Sequence, residues 1–179
     1  MGKVPAIFLD RDGTIIEDRG HLRSKDEVHF YPETFLSLRK LQKHFVLFIV
    51  THQPGVSRRL ITMNEVETIN TFISDTLKEN GIIIKEIYVC PHDKSEMCRC
   101  IKPLPYFLLQ ASKKYNIDLK KSYTIGDHPH DVELAHNAGT KGIYVLTGHG
   151  THHIDELPEG TIIANNIEAA TDFIIENMI

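Results

Sequence analysis

Short apolar runs alternate along the chain with longer stretches in which apolar residues recur at helical spacing. Most of the short runs are apolar at every position, which is typical of strands buried on both faces of a parallel sheet. The pattern predicts six strands: Val4–Leu9, Phe45–Val50, Ile87–Val89, Tyr123–Ile125, Gly142–Leu146 and Thr161–Ala164. Alternation of strands and helices favours an α/β fold with a doubly wound parallel sheet and helices on both faces.

The amphipathic stretches predict five helices. Pro32 takes its favoured first position in one of them. Thr62 and Glu65 form a capping box ahead of a second. The other three are predicted from about Leu104 to Tyr115, from Asp131 to a stop at Gly139, and from about Ile167 to Met178.

Composition supports one globular domain over residues 1–179. Hydrophobic residues make up 41% and charged residues 25% of the chain, as in ordinary folded proteins. The formal charge of −4 argues against nucleic acid as a partner, which needs a basic surface, but permits a small phosphorylated metabolite. No apolar run is long enough to span a membrane, and no signal segment is visible. We therefore expect a cytoplasmic monomer or small homo-oligomer with no membrane partner.

Two stretches interrupt the alternation, at about residues 15–31 and 90–102. Both are too long to be simple connectors, and loops of this length are usually functional. We call the second stretch the cysteine loop, because it contains all three cysteines of the chain.

Two acids follow the first predicted strand one residue apart. Asp10 and Asp12 lie at its carboxyl end, where ligands bind in open α/β sheets. Two close carboxylates repel each other, and Mg²⁺ suits their oxygen ligands. One carboxylate can then attack phosphorus while the other transfers the leaving-group proton. The alternative is a turn with solvated acids, since Asp and Gly are common turn residues.

Four later residues extend this pattern. Thr51 follows the second strand, where its hydroxyl can hold phosphate oxygens or simply cap a loop. Lys102 can neutralise phosphoryl charge in a transition state, although most lysines are solvated. Asp127 follows the fourth strand, after Gly126. Asp131 falls near a helix start, where an acid is favourable in any case.

Taken in order, these positions resemble the four motifs of the haloacid dehalogenase (HAD) superfamily: Asp10-x-Asp12, Thr51, Lys102 and Gly126-Asp127-x-x-x-Asp131. The resemblance covers nearly the whole chain. It implies a Rossmann-like core and an aspartyl-phosphate formed on Asp10. It also implies that Asp12 acts as acid and then as base.

The same resemblance assigns the remaining motif residues. It implies that Thr51 and Lys102 bind the phosphoryl group and that Asp131 is a supporting acid near Lys102. It further implies a catalytic Mg²⁺ held by Asp10, Asp12 and Asp127.

The cysteine loop has a metal-ligand pattern of its own, Cys-x-His-x₅-Cys-x-Cys. Its four members are Cys90, His92, Cys98 and Cys100. Three thiolates and one imidazole complete a tetrahedral zinc site without a vacant position, which indicates a structural role. The alternatives are a strained Cys98–Cys100 disulfide or free buried thiols. Because Cys100 lies two residues before Lys102, we expect zinc to preorganise that lysine.

The first strand and the cysteine loop also resemble two HAD phosphatase families, those acting on heptose 1,7-bisphosphate and on histidinol phosphate. Both lack a large cap domain, and the heptose family is the more similar. The resemblance implies substrate contacts at Arg11, Asp18, His21, His52, Gln53 and Ile101. Three positions depart from the family pattern. His52 replaces Asn, Ile101 replaces an Arg that contacts substrate, and His128 replaces a basic residue.

The sequence thus predicts a phosphatase for a small phosphorylated metabolite, most simply a sugar phosphate such as heptose 1,7-bisphosphate, with histidinol phosphate as the alternative. Other classes are a receiver-type phosphoacceptor domain and a zinc-dependent binding module. His128 and His130 flank Pro129 beside Asp127, so one of them is expected to face the pocket. His149, His152 and His153 are predicted to lie in a solvated loop, with a second metal site as the alternative.

Overall fold

The computed structural model describes residues 2–178, which contain one six-stranded sheet. Its strands are β1 (Ala6–Leu9), β2 (Val46–His52), β3 (Ile84–Cys90), β4 (Tyr123–Gly126), β5 (Lys141–Val145) and β6 (Ile162–Ala164). They are ordered β3-β2-β1-β4-β5-β6, and every neighbouring pair is parallel. All six predicted strands are present. This order is that of a Rossmann-like fold.

Five α-helices cover the sheet: α1 (Thr34–Leu41), α2 (Met63–Glu79), α3 (Tyr106–Tyr115), α4 (Pro129–Ala138) and α5 (Ile167–Glu176). Apolar side chains of α1, α2 and α5 pack in one core on one face, and those of α3 and α4 pack in a second core on the other. The prediction of helices on both faces is confirmed.

Several predicted boundaries need correction. Helix α1 begins at Thr34, because Pro32 lies within a turn that the Thr34 amide closes by donating to the Tyr31 carbonyl (3.1 Å). Helix α3 begins only after Pro105. Strand β3 is longer than predicted because it is an edge strand, where polar residues interrupt the apolar run.

Two features fit the prediction closely. The capping box of Thr62 and Glu65 starts α2. Helix α4 ends at Gly139, whose φ of 78° lies in the left-handed region. Its start is two residues earlier than predicted, because the His128 side chain caps it by accepting from the His130 amide.

The sheet order decides where the site lies. Strand β1 is central, between β2 and β4, and Leu9 pairs with Ile49 on one side and Ile125 on the other. The carboxyl ends of these three strands therefore lie together. Within residues 2–178, the connections β1–α1 and β3–α3 contain only short 3-10 helices and isolated bridges, so neither carries a large cap domain. No helix in this part of the chain combines the length and apolar character needed to cross a membrane.

Candidate active site

Three predicted residues meet through one ammonium group. Lys102 Nζ donates to Asp10 Oδ1 (2.6 Å) and to Asp131 Oδ1 (2.7 Å). Burial alone would lower the pKa of Lys102, but the two carboxylates outweigh it and hold that pKa above its usual value. The lysine is therefore a fixed cation beside Asp10, and Asp131 supports it as predicted.

Asp10, Asp127 and Asp131 form a compact acidic group, with one oxygen of each lying within 4.8 Å of the others. Burial, reinforced by the charge of Asp10, raises the pKa of Asp127 to about 8. Burial also raises the pKa of Asp131 to about 6, although Lys102 opposes the shift. Three carboxylates with a single ammonium carry excess negative charge, so the group suits a divalent cation.

The Asp12 carboxylate is not part of this group. Arg11 holds it through Nε (3.0 Å) and Nη2 (2.8 Å), and Gln53 Nε2 donates to it as well (2.8 Å). In this structure the Asp12 carboxylate is bonded to Arg11 and Gln53, and the magnesium contact expected of Asp12 stays a prediction. Burial raises the pKa of Asp12, Arg11 lowers it, and the charge of Asp10 raises it again, for a net upward shift.

The Arg11 side chain is buried beside Asp12. It is only 1% exposed and does not line the cleft. Besides Asp12, it bonds Asn70 on α2 through Nη1 (2.8 Å). The guanidinium thus orients Asp12 from outside the cleft, and the substrate contact predicted for Arg11 stays a prediction.

Gln53 connects the ends of β1 and β2. Its side-chain amide donates to the buried Thr51 hydroxyl (2.8 Å) as well as to Asp12. Its backbone amide donates to the Cys90 carbonyl at the end of β3 (2.8 Å). One residue therefore holds three neighbouring strand ends in register.

Two glycines make room for Asp127. Gly13 (φ 81°) and Gly148 (φ 56°) both lie against its carboxylate, and a Cβ at either position would overlap it. The His149 amide donates to Asp127 Oδ2 (2.7 Å), and the Thr147 hydroxyl donates to the Gly13 carbonyl (2.6 Å). The loop after β5 thus closes over the site, an arrangement the sequence pattern did not predict.

These groups line a cleft of about 400 Å³. Of the predicted substrate residues, Asp18, His21, His52 and Gln53 line it. Ile101 does not line it, and from the cysteine loop only Lys94 and Lys102 do. The substrate contact predicted for Ile101 stays a prediction. Residues at the cleft that the sequence reasoning did not assign include Arg58 and Lys94. No local motif marks either one.

The histidines divide between the cleft and its surroundings. His128 and His130 both line the cleft, as expected for at least one of them. His149 lies in a loop with its side chain 53% exposed, as the solvated-loop prediction expects, but it also lines the cleft and bonds Asp18 Oδ2 through Nε2 (2.9 Å). A partner distant in sequence supplies the contact that local spacing could not reveal.

The four predicted ligands of the cysteine loop converge. The Sγ–Sγ separations are 3.6 Å for Cys90–Cys98, 3.2 Å for Cys90–Cys100 and 3.7 Å for Cys98–Cys100. His92 Nδ1 lies 3.3 Å from Cys100 Sγ. Zn–S bonds of about 2.3 Å in a tetrahedron would place the sulfurs about 3.8 Å apart. The cysteines are free thiols, with no disulfide among them.

The cysteine loop is bound to the end of β2 and to the loop after it, and both line the cleft. His52 Nε2–H donates to the His92 carbonyl (2.8 Å), and the Ser57 amide donates to the Pro91 carbonyl (3.2 Å). Arg58 Nε pairs with Asp93 Oδ2 (2.5 Å). Any metal that orders the cysteine loop therefore also fixes this side of the cleft.

Comparison with known proteins gives concordant results. Residues 99–170 match the family model described as HAD-hydrolase-like. The chain is 39% identical over 155 residues to the D-glycero-beta-D-manno-heptose-1,7-bisphosphate 7-phosphatase of Yersinia pestis, covering 81% of this chain and 82% of the relative. It is 31% identical to the D-glycero-alpha-D-manno-heptose-1,7-bisphosphate 7-phosphatase of Photorhabdus laumondii, covering 92% and 93%.

The fold agrees with a solved structure over almost its full length. That structure is a D,D-heptose 1,7-bisphosphate phosphatase from B. bronchiseptica, solved with magnesium and phosphate. It superposes with a TM-score of 0.89 at 28% identity, covering 98% of this chain and 100% of the other. We call the carboxyl edge of the sheet with Asp10, Asp127 and Asp131 the catalytic edge. The similarity extends over this edge and the cysteine loop together.

Proposed function

The chain belongs to the HAD-like hydrolases and is a phosphoric monoester hydrolase, and from this premise we propose that it removes the 7-phosphate of a heptose 1,7-bisphosphate. The observation that carries the proposal is the meeting of Asp10, Lys102, Asp131 and Asp127 at one edge of the sheet. The substrate follows from the relatives, whose names specify this bisphosphate. We also propose that residues 1–179 work as one phosphatase domain.

We assign the attack on phosphorus to Asp10. Its Oδ1 accepts from Lys102, which orients the carboxylate and leaves Oδ2 for attack. The bond from Asp10 to phosphorus forms as the bond from phosphorus to the sugar oxygen breaks. Lys102 and the Thr51 hydroxyl are placed to stabilise the charge on the phosphoryl oxygens.

Asp12 is assigned the proton transfers. A protonated Asp12 gives its proton to the departing sugar oxygen, and then takes one from the water that hydrolyses the aspartyl-phosphate. Its raised pKa favours the protonated form needed in the first step. Arg11 and Gln53 hold the carboxyl group in place through both steps. The products are the sugar monophosphate and inorganic phosphate.

Asp10 and Asp127 fit a catalytic Mg²⁺. Their oxygens are close together, and Asp127 is so buried that its ionised form is unfavourable without a nearby cation. When bound, Mg²⁺ supplies positive charge that reduces repulsion between the carboxylates and the phosphate. Magnesium and phosphate in the B. bronchiseptica structure support this assignment.

We assign a structural zinc to Cys90, His92, Cys98 and Cys100. Their separations approach those of a zinc tetrahedron, and four protein ligands leave no position for substrate. Because the loop carrying them is bonded to His52 and Arg58, we propose that zinc fixes the cleft wall as well as Lys102.

The test is a comparison of substrates with purified protein and Mg²⁺. The α and β anomers of heptose 1,7-bisphosphate, histidinol phosphate and simple sugar phosphates are assayed for phosphate release. We expect kcat/KM for one heptose bisphosphate to exceed that for histidinol phosphate by about 100-fold or more. A higher value for histidinol phosphate would reject the substrate while leaving the phosphatase chemistry intact.

A further inference from the structure

We propose that Lys94, on the cysteine loop, binds the phosphate that is not hydrolysed and thereby makes the enzyme prefer sugar bisphosphates to monophosphates. This inference rests on the proposed function, because only a bisphosphate carries a second phosphate into the cleft. It assigns a specificity role to a residue outside the four motifs.

Charge pairing in the cleft identifies Lys94. Three Lys and Arg side chains line the cleft. Lys102 is bonded to Asp10 and Asp131, and Arg58 is paired with Asp93. Lys94 has no carboxylate partner among residues 2–178. Its ammonium is therefore the one whose charge is not already offset, and an incoming anion meets it without displacing an existing ion pair.

Histidines line the cleft together with Lys94, among them His52, His128 and His130. Their ring N–H groups can donate hydrogen bonds to a phosphate. An ordinary lysine ammonium is charged throughout the neutral pH range, whereas an ordinary imidazole changes its charge within it. A lasting positive charge for the second phosphate is therefore best supplied by the lysine.

The backbone around Lys94 is held in place. Lys94 is the first residue of a short 3-10 helix closed by a capping box, in which the Asp93 amide donates to Glu96 Oε2 (2.6 Å). It also lies between the ligand candidates His92 and Cys98. A lysine side chain is flexible, but its base is anchored on both sides, which reduces the entropy lost on binding.

The location suits a second phosphate. The cysteine loop follows β3, which is separated from β1 by β2 alone. Two strand spacings amount to about 10 Å. Lys94 thus lines the cleft from the β3 side, while Asp10 lines it from β1. A sugar with phosphates at both ends can place one at Asp10 and the other towards Lys94.

The two phosphates of the substrate meet different groups in the cleft. The transferred phosphate meets Lys102 and the proposed magnesium site, whereas the retained phosphate has neither. A charge-assisted hydrogen bond to a lysine ammonium is an ordinary way to bind such a group. Because this contact does not change during the reaction, it strengthens binding and leaves the chemical step unchanged.

The experiment compares Lys94→Ala with wild type on heptose 1,7-bisphosphate and on heptose 7-phosphate, the same sugar without the retained phosphate. For the bisphosphate we expect KM to rise about tenfold or more with kcat unchanged. For the monophosphate we expect both constants to stay within about twofold of wild type. Lys94→Arg should keep KM for the bisphosphate close to the wild-type value, because it keeps the positive charge.

Arg99→Ala is the matched control. Arg99 is an exposed cation on the same loop, but it does not line the cleft. Its removal should leave kcat and KM unchanged for both substrates. Zinc content and Tm should match wild type in every variant. If Lys94→Ala lowers kcat/KM equally for the two substrates, or does not lower it for the bisphosphate, the role of Lys94 is overturned while the proposed function stands. Failure of wild type to hydrolyse the bisphosphate would reject both.

Discussion

The catalytic edge and the cysteine loop both contain a group of side chains that could hold a metal ion, but the two groups are assembled differently. The catalytic group draws Asp10, Lys102, Asp127 and Asp131 from distant parts of the chain. The cysteine loop supplies four candidate ligands between Cys90 and Cys100. The first cluster depends on the completed sheet and uses hard oxygen ligands. The second is local and offers soft ligands, so we expect it to depend on the zinc proposed for it.

The largest expected effect is confined to the catalytic edge. Asp10→Asn should lower kcat for phosphate release by at least about 10⁴-fold, because an amide cannot form the aspartyl-phosphate. Zinc content and the circular dichroism spectrum should not change, since the substitution is isosteric and lies outside the cysteine loop. Substantial residual turnover would contradict a nucleophilic role for Asp10.

Removal of magnesium should separate the two clusters chemically. Gel filtration into metal-free buffer should reduce activity by about 10³-fold, while zinc measured by atomic absorption stays bound. Addition of Mg²⁺ alone should restore activity. Recovery that requires zinc instead would reverse the roles assigned to the two sites.

A smaller loss of activity is expected from the other cluster. Cys98→Ser removes one of four ligands, so we expect loss of zinc and a decrease of at least about 2 kcal/mol in the free energy of unfolding. Turnover should fall about tenfold, because the cysteine loop fixes Lys102 and the wall of the cleft. Ser95→Ala, on the same loop but not a ligand, is the control. Full turnover and stability without zinc would show that the cysteine loop keeps its structure without a metal.

The smallest effect is a pH dependence that belongs to the catalytic edge. In the metal-free protein the pKa of Asp127 is raised to about 8, against about 4 in an unfolded chain. The folded state therefore binds more protons in this interval, and stability falls as pH rises from about 4 towards 8. Asp131, whose pKa is also raised, adds to the fall.

Asp127→Asn tests this dependence. Without magnesium, the variant should be more stable than wild type by on the order of 1–3 kcal/mol at pH 8 and equal to it near pH 4. Urea denaturation at several pH values measures the difference. A variant that is less stable at pH 8 would mean that Asp127 is not an unfavourable buried charge.

The sequence predicted the parts of the molecule that depend on local pattern. Buried strands are apolar throughout, so all six were found, and the capping box at Thr62 was read from two residues. The cysteine cluster was found because its ligands are close in sequence. The ordered motifs, through a known family, predicted that Lys102 would meet Asp10 and Asp131.

The rest depends on where side chains point after folding. The sequence does not show whether the Arg11 side chain enters the cleft or lies beneath it. Its direction depends on a hydrogen bond to Asn70, on α2. Gln53, one of the partners of Asp12, likewise comes from another strand end. His149 lies in an irregular loop and Lys94 in a single 3-10 turn, and periodicity does not predict the direction of a side chain in either.

The strand order also determines which part of the site opens first. Strands β1 and β4 are hydrogen-bonded on both sides, whereas β3 is bonded on one side only. Local opening of a sheet costs least at its edges. Thermal fluctuations should therefore release the cysteine loop before they disturb Asp10, and its amide hydrogens should exchange sooner. The enzyme can lose and regain this flank while the carboxylates of the sheet centre stay assembled.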